Sequence, residues 1–576
     1  MSRNRERRPT DAPGRWRAAL LQGLFLLAFL VLLARAVDLQ VLRHDFLVRQ
    51  ASARHLRTVE IPAHRGTIRD RHGETLALST PMATVWANPK VLLQAPEYWP
   101  ALARILGERE RKLARRIRAY ADREFVYLRR QVPPDVAQRV HALRAPGVGL
   151  AREYHRYYPA GEVAAHVVGF TDVDDVGREG MELAYDRWLR GTPGKKRVVR
   201  DGRHRIVDEL ELIRAPRPGR DLVLSIDLRI QYLAYRALKA AVRRHRARAG
   251  SAVVLDVRTG EVLAMVNQPS WNPNDRRHLR RAALRNRAVT DVFEPGSTMK
   301  PFAIAAALLS GRYRPDSRID TRPGWLRVGR YTIHDVHDYG VLDLTGILRK
   351  SSNVGVSKIA LSLPRESLWG VLQKVGFGQA PGLGFPGEAA GFLSPPAHWH
   401  RVEQATLAFG YGLSVSALQL ARAYAVLAHD GRLLPVSLVR RAYPPEGTQV
   451  LPAAVARQVR HMLEAVVSPE GTAPRARIAG YRVAGKTGTV RKAVAGGYAE
   501  DRYLALFVGM APASRPRLVC VVAIDEPGGE TYYGGTVAAP VFQRILSGAL
   551  RLLNVPPDAP RGTDAPLQAA MAGGPA

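Results

Sequence analysis

Ser297-Thr298-Met299-Lys300 runs directly into Pro301 and eight apolar residues, Phe302 to Leu309, and no other stretch limits the fold of this chain as sharply. A proline has no N–H to donate and fits the first turn of a helix, so a helix is predicted to begin just upstream of Pro301. The breaker pair in Phe293-Glu294-Pro295-Gly296 precedes it. Ser297 and Lys300 then share the first turn, three apart on one face, with the amine beside the hydroxyl. That is a nucleophile with an adjacent base, placed at the positive end of a helix. A capping serine followed by a solvated lysine satisfies the same four residues, so the spacing alone does not decide.

Two further motifs decide it. Ser351-Ser352-Asn353 follows the nucleophile candidate, and Lys486-Thr487-Gly488-Thr489 follows that. S-x-N is a weak signal alone, since Ser270-Trp271-Asn272 also fits but lies upstream; K-T-G occurs once, in a stretch that reads as strand, turn, strand. S-x-x-K, S-x-N and K-T-G in this order form the signature of the penicillin-recognising serine acyltransferases. Lysine usage adds an independent argument. The 86 basic residues comprise 11 Lys and 75 Arg. Arg cannot lose its proton, whereas a desolvated Lys acts as a base, so lysines at 300 and 486 carry information that base composition does not explain.

The chain resembles the class B high-molecular-weight penicillin-binding proteins, on the septal side of that class. Besides the three motifs, the likeness is carried by Arg65 to Gly73 (RGTIRDRHG), Arg156-Tyr157-Tyr158-Pro159, Gly177 to Glu182 (GREGME), Lys350 to Lys358, Gly410-Tyr411-Gly412 and Tyr532-Tyr533-Gly534-Gly535, and it covers roughly residues 18 to 555. The resemblance implies a peptidoglycan D,D-transpeptidase acylated by β-lactams. In it Ser297 attacks the carbonyl between two D-alanines of a stem peptide, and Lys300, kept neutral by desolvation and a neighbouring cation, takes the proton. Ser351 relays a proton to the leaving amine, Asn353 orients Lys300 and the substrate amide, and Lys486 supplies positive potential. The hydroxyls of Thr487 and Thr489 receive the terminal carboxylate, Gly488 between them belongs to the same substrate-binding stretch, and the N–H groups of Ser297 and Thr489 form the oxyanion hole. Tyr411, Arg491, Tyr532 and Tyr533 match cleft-lining positions. No metal or organic cofactor is expected. His334-Asp335-Val336-His337-Asp338 has the look of a metal cluster but departs from relatives lacking both histidines, and reads better as a loop beside the cleft.

At 576 residues the chain exceeds one typical core and is predicted to hold two or more domains. The net charge of +35 raises nucleic acid as a partner. No nucleic-acid motif accompanies it and the cations are dispersed, so an extracytoplasmic surface near anionic lipid or wall polymer accounts for it instead. Cys520, the single cysteine, sits in the apolar run Leu518 to Ile524, so no intrachain disulfide is possible and a buried small hydrophobe is the expectation. Ala18 to Ala34 carries no charge and, with flanking residues, is long enough to span a bilayer. Ala34-Arg35-Ala36 fits a signal-peptidase site, but the apolar run exceeds a usual signal core, which favours a retained anchor. Arginines on both sides blunt the charge asymmetry, so orientation rests on the resemblance.

The expected architecture is α+β and multidomain: a cytoplasmic tail (1–17), a transmembrane helix (18–41), an elongated pedestal (57–220), a transpeptidase domain (221–555) and a disordered Ala/Gly/Pro-rich tail (556–576). The pedestal is predicted to include a helical stretch from Trp99 to Tyr120. The transpeptidase domain is expected to hold a five-stranded antiparallel sheet flanked by helices. Its strands are placed at Ser251–Asp256, Glu261–Val266, Tyr481–Val490, Leu504–Met510 and Leu518–Ile524, and its helices at Leu228–Arg246, Phe302–Leu309 and Ala539–Leu553. Arg65 to Gly73 reads as a domain-packing loop or as a partner contact. The resemblance places the bulk of the chain in the periplasm, anchored in the inner membrane, with the polymerase FtsW and other divisome proteins as partners. A hydrolase would need a deacylation motif, and none stands out. A β-lactam sensor would need more spans or a cytoplasmic effector, and the elongation-specific transpeptidase is the nearest competitor.

Overall fold

The computed structural model describes residues 15–46, 56–200, 206–277, 279–494 and 497–559. Most of the expected cytoplasmic tail and residues 560–576 of the expected disordered tail lie outside the described residues. Helix α1, Arg15–Val37, continues as a wider π turn over Asp38–Leu42. From Trp16 to Leu42 it is long and apolar enough to cross a membrane, and none of it is buried by protein. Leu24, Phe25, Phe29 and Leu32 are all exposed, as a helix with no protein partner requires.

The described residues divide into two compact units. One gathers α1 with 56–63, 81–153 and the described part of 192–217; the other gathers 64–80, 154–191 and the described residues from 218 to 559. The smaller unit holds a three-stranded antiparallel sheet of Leu56–Ile61, Gly194–Arg200 and Ile206–Arg214. Its second core lies around Val85, Trp99, Leu102, Leu106, Leu113, Ile117 and Leu128. The helix expected over 99–120 is two helices, Trp99–Leu106 and Glu110–Ala119. Gly107 separates them with a left-handed φ of 65°, where it closes the first helix through N–H bonds back to Ala103 and Arg104. The apolar spacing continues on both sides of that cap, so the sequence pattern reads through the break.

The larger unit is built on five antiparallel strands. In chain order the elements used below are α2 (Leu228–Arg244), β1 (Ala249–Asp256), β2 (Val262–Gln268), α3 (Lys300–Leu309), α4 (Leu344–Lys350), α5 (Asn353–Ser362), α6 (Ala417–Ala428), β3 (Ala484–Val494), β4 (Gly497–Ala511), β5 (Leu518–Asp525) and α7 (Ala539–Leu552). The sheet runs β2-β1-β5-β4-β3, every neighbour antiparallel. Strands β1, β2 and β5 are near-continuous apolar runs, as burial on both faces demands. Helices α2 and α7 pack together, and α6 lies against β1 and β5. Cys520 is buried in β5, where desolvation pushes its thiol well above the usual range and leaves it inert.

Three stretches that carry the family likeness meet inside this unit. The guanidinium of Arg65, fully buried, lies 2.7 Å from Glu182 and 2.9 Å from Asp186, and Arg156 lies 2.7 Å from the same Glu182. Charges so deeply buried persist only when paired. Asp70 accepts the N–H groups of His72, Glu74 and Leu228, so the Arg65–Gly73 loop caps the start of α2. Packing is therefore what this loop does within the unit.

Candidate active site

Ser297 lies on a 3-10 turn, Gly296–Met299, and α3 proper begins at Lys300 with Pro301 in its first turn. The nucleophile candidate thus precedes the α-helix rather than sitting in its first α-helical turn. Residues three apart eclipse one another in a 3-10 turn, so Ser297 and Lys300 still share a face. The turn is pinned from several sides. Gly296 N–H donates to Gly410 O (3.1 Å), Thr298 Oγ1 donates to Pro295 O (2.7 Å), and the buried Tyr424 hydroxyl of α6 donates to Thr298 O (2.7 Å). Glu294 accepts from Gly412 N (2.9 Å) and from the Tyr498 hydroxyl (3.0 Å).

Lys300 is fully buried. Its Nζ meets Ser351 O, Ser351 Oγ at 3.0 Å and Asn353 Oδ1 at 2.8 Å. None of these partners is Ser297, and among the described residues Ser297 Oγ has no side-chain hydrogen bond. The expected amine–hydroxyl contact is therefore not formed in the free site, where such bonds commonly tighten only on substrate binding. Lys486, on β3 and also fully buried, reaches the same Ser351 Oγ at 3.0 Å from the other side. Burial holds Lys300 well below the usual lysine range; the charge of Lys486 lowers it further, and the carboxylate of Asp335 pulls partly back. Burial alone pushes Lys486 down to about 7.

The oxygen set around Lys300 suits both of its protonation states. Ser351 O and Asn353 Oδ1 can only accept, so a neutral amine gives them its two N–H groups and offers its lone pair to the Ser351 hydroxyl. An ammonium donates to all three. The Ser351 hydroxyl must then turn from donor to acceptor, and it already accepts from Lys486 on its far side.

Ser351 occupies the turn between α4 and α5 at φ 61°, ψ 38°. A left-handed serine is strained by roughly 1 kcal/mol or more and persists only where its surroundings fix it. Those surroundings include Asp335, which the sequence reading sets in a loop beside the cleft without giving it a role of its own. Asp335 follows the hairpin Trp325–Val328/Tyr331–His334. Its Oδ2 accepts from Ser352 Oγ at 2.5 Å, and its Oδ1 accepts the N–H groups of Asn353 and Val354, the latter at 3.0 Å. Ser352 also caps α5 by accepting from Gly355 N (2.8 Å). Asn353 Nδ2 donates to His334 O at 3.0 Å, which turns its Oδ1 toward Lys300. The segment His334–Asp338 is thus the loop beside the cleft, with Asp335 capping a helix.

Strand β3 is the sheet edge, so a row of its backbone groups has no strand partner. It approaches the Ser297 turn closely because of two glycines. A Cβ on Gly488 would meet Pro295 O and Thr298 Cγ2 at 3.1 Å, and one on Gly296, at φ +54°, would meet Val490 Cγ2 at 2.5 Å. Thr487 Oγ1 lies 2.9 Å from Thr472 Oγ1, a neighbour that no motif announces, and Thr489 Oγ1 accepts from Gly534 N at 3.0 Å. Tyr411 packs edge-on against Tyr498 (5.4 Å) and Phe409 (5.7 Å). Tyr532 stacks between Tyr503 (4.0 Å) and Tyr533 (4.6 Å). Arg491, exposed on β3, lines a cavity of about 310 Å³ with Phe293, Glu294 and Val490.

Residues 250–547 match the penicillin-binding protein transpeptidase domain, and residues 60–224 match the penicillin-binding protein dimerisation domain. The chain is 45% identical over 549 residues to the peptidoglycan D,D-transpeptidase FtsI of Escherichia coli K12, covering 94% of this chain and 93% of that one. It is 43% identical to the probable peptidoglycan D,D-transpeptidase PbpC of Pseudomonas aeruginosa, over 94% of this chain and 96% of the relative. The solved transpeptidase domain of Burkholderia pseudomallei penicillin-binding protein 3 is 49% identical with a TM-score of 0.54, spanning 58% of this chain and 98% of that domain. The chain belongs to the class B penicillin-binding proteins, the family of the D,D-transpeptidases FtsI and PenA.

Proposed function

We propose that this chain is a serine D,D-transpeptidase that cross-links peptidoglycan stem peptides at the division septum and is acylated by β-lactams. One observation carries the reading: a fully buried lysine, depressed by burial and by a second lysine, is caged by oxygens that fit the ammonium it becomes. Ser297 Oγ attacks the D-Ala–D-Ala carbonyl as its proton passes to Lys300. The new Oγ–C bond forms, and the oxyanion is received by the N–H groups of Ser297 and Thr489. An ammonium at 300 then has three acceptors in place, which offset part of the cost of charging a buried amine as the transition state forms. Ser351, between the two amines, delivers the proton to the departing D-alanine nitrogen. Asn353 steers Lys300 and the substrate amide. Lys486 supplies positive potential, the hydroxyls of Thr487 and Thr489 receive the terminal carboxylate, and Gly488 lies between them in the substrate-binding stretch. Tyr411, Arg491, Tyr532 and Tyr533 line the cleft. The amine of a second stem peptide displaces Ser297 from the acyl group and forms the cross-link.

The apolar α1 supports a single-pass membrane anchor, and the family resemblance supports an inner-membrane location with a cytoplasmic N-terminus and a periplasmic catalytic unit. The family resemblance supports septal placement, with FtsW and other divisome proteins as partners. Intact mass after brief incubation with a β-lactam, followed by peptide mapping, tests the chemistry. The adduct is expected on the Ser297 peptide, slow to disappear, and absent in Ser297→Ala; rapid loss would mark a hydrolase. Depletion in cells tests placement, giving filaments for a septal enzyme and spheres for an elongation enzyme.

A further inference from the structure

Arginines that lie far apart in the sequence meet at one end of the central sheet. Arg258, Arg432, Arg460 and Arg515 come from four segments of the larger unit and line one cavity of about 400 Å³ with His429 and Asp430. Arg258 sits on the turn between β1 and β2, Arg515 on the turn between β4 and β5, and Arg432 just past the end of α6. Antiparallel pairing of β1 with β5 brings the two turns together: Asp256 faces Leu518, and Val257 N–H donates to Arg517 O at 3.0 Å. Arg460, on the helix Ala453–Glu464, is buried and donates to Leu427 O at 3.2 Å and to Asp430 Oδ1 at 2.8 Å. Arg457 takes the other oxygen of Asp430 at 3.2 Å, so that carboxylate is fully committed. Ser514, which also lines the cavity, gives its hydroxyl to Asp558 at 2.6 Å.

Arg258, Arg432 and Arg515 are exposed. Among the described residues no carboxylate lies in ion-pair reach of these three, and the one that lines the cavity is already shared by Arg460 and Arg457. Burial and the charge of Arg432 hold His429 below the usual histidine range, with Asp430 pulling partly back, so the imidazole adds little charge at neutral pH. Guanidiniums gathered without counter-charge repel one another, and an anion between them removes that cost. Each guanidinium is a flat fork of donors that grips two oxygens of a phosphate at once. Forks arriving from three different segments suit a tetrahedral oxyanion, with oxygens on every side, better than a planar carboxylate. The volume exceeds that of a bare phosphate and falls in the range of small-ligand pockets, leaving room for the group the phosphate is attached to. We propose that this cavity binds the phosphate or diphosphate group of a phosphorylated ligand, at a site separate from the catalytic cleft. The separation runs along the sheet: Thr489 in the cleft pairs with Ala505, whereas the cavity lies past Ala511, where β4 turns into β5. A soluble phosphate compound and a lipid headgroup present the same chemistry, and the experiment tells them apart.

The full chain is placed in nanodiscs of phosphatidylcholine, and its melting is followed against sodium pyrophosphate, with ionic strength held constant by sodium chloride. A saturable rise in Tm is expected. The concentration giving half of that rise should increase about tenfold in Arg258→Gln and in Arg515→Gln, each of which removes charge-assisted hydrogen bonds to the anion. Both replace exposed side chains, so both variants should fold. Arg491→Gln, which alters the cleft instead, should keep the rise. An equal rise in the two cavity variants, or a rise lost only in Arg491→Gln, overturns the proposal. A second arm uses nanodiscs of mixed phosphatidylcholine and phosphatidylglycerol without pyrophosphate. A gain in Tm there that both cavity variants lose upholds the site and assigns its phosphate to a membrane lipid; a response confined to pyrophosphate upholds it and assigns a soluble ligand. No arginine-dependent gain in either arm overturns it.

Discussion

Lys486→Gln is the perturbation whose outcome follows most directly from the geometry. Nζ of Lys300 and Nζ of Lys486 each lie 3.0 Å from Ser351 Oγ, so the two amines are no more than about 6 Å apart. At an effective dielectric near 20, two unit charges at that distance repel by about 3 kcal/mol. Whenever Lys486 is protonated, that repulsion works against protonation of Lys300. Lys486 sits at about 7, so the effect is largest below neutral pH. Glutamine is one atom shorter and keeps an N–H donor directed along the same path, but it carries no charge. Lys300 then binds its proton more tightly, and the acid limb of acylation moves to higher pH. The absolute rate also falls, since the carboxylate-binding potential is lost. The assay is the pH profile of penicillin acylation, with a melting curve to show that the variant is folded. A limb that stays in place, or moves to lower pH, would refute the claim that the two buried amines are electrostatically coupled.

Other expectations follow from neighbouring features. Glu182→Ala leaves Arg156 buried without its carboxylate and Arg65 with Asp186 alone, and is expected to cost about 3–5 kcal/mol, read as a lower denaturation midpoint. Gly488→Ala forces β3 and the Ser297 turn apart by a few tenths of an ångström, so acylation is expected to fall at least tenfold with little change in Tm. Lys486 has a folded pKa of about 7 and an unfolded value near 10.5, so between these pH values the unfolded chain binds more protons than the folded one. Stability contributed by this residue therefore rises from pH 7 to pH 10, and the urea midpoint of the unaltered chain should rise relative to that of Lys486→Gln.

Local features were the ones most legible in the sequence. Pro301 and the apolar run placed the buried helix, the K-T-G stretch placed an edge of the sheet, and continuous apolar runs placed β1, β2 and β5 within two residues of their ends. What escaped depends on contacts between residues far apart. Asp335 acts on Ser352 and Asn353 across a chain reversal, and nothing in its local spacing marks it as different from a surface acid. Arg65 and Glu182 are 117 residues apart, so no local spacing announces that they form a buried pair. Lys300 was expected to turn to Ser297 because they share a helical face, but a long side chain can leave that face, and the oxygens of Ser351 and Asn353 draw it away. Gly107 interrupts an amphipathic pattern without changing its apolar spacing, which is why one helix was expected where there are two.

The account stands on Lys300 working as an uncharged base, and Lys300→Arg tests this most directly. Arginine keeps a long side chain ending in N–H donors but cannot release its proton to become a base. Intact mass of the folded variant after incubation with penicillin should show no adduct on the Ser297 peptide over times that fully label the unaltered chain. Labelling of Lys300→Arg at an unchanged rate would contradict the account.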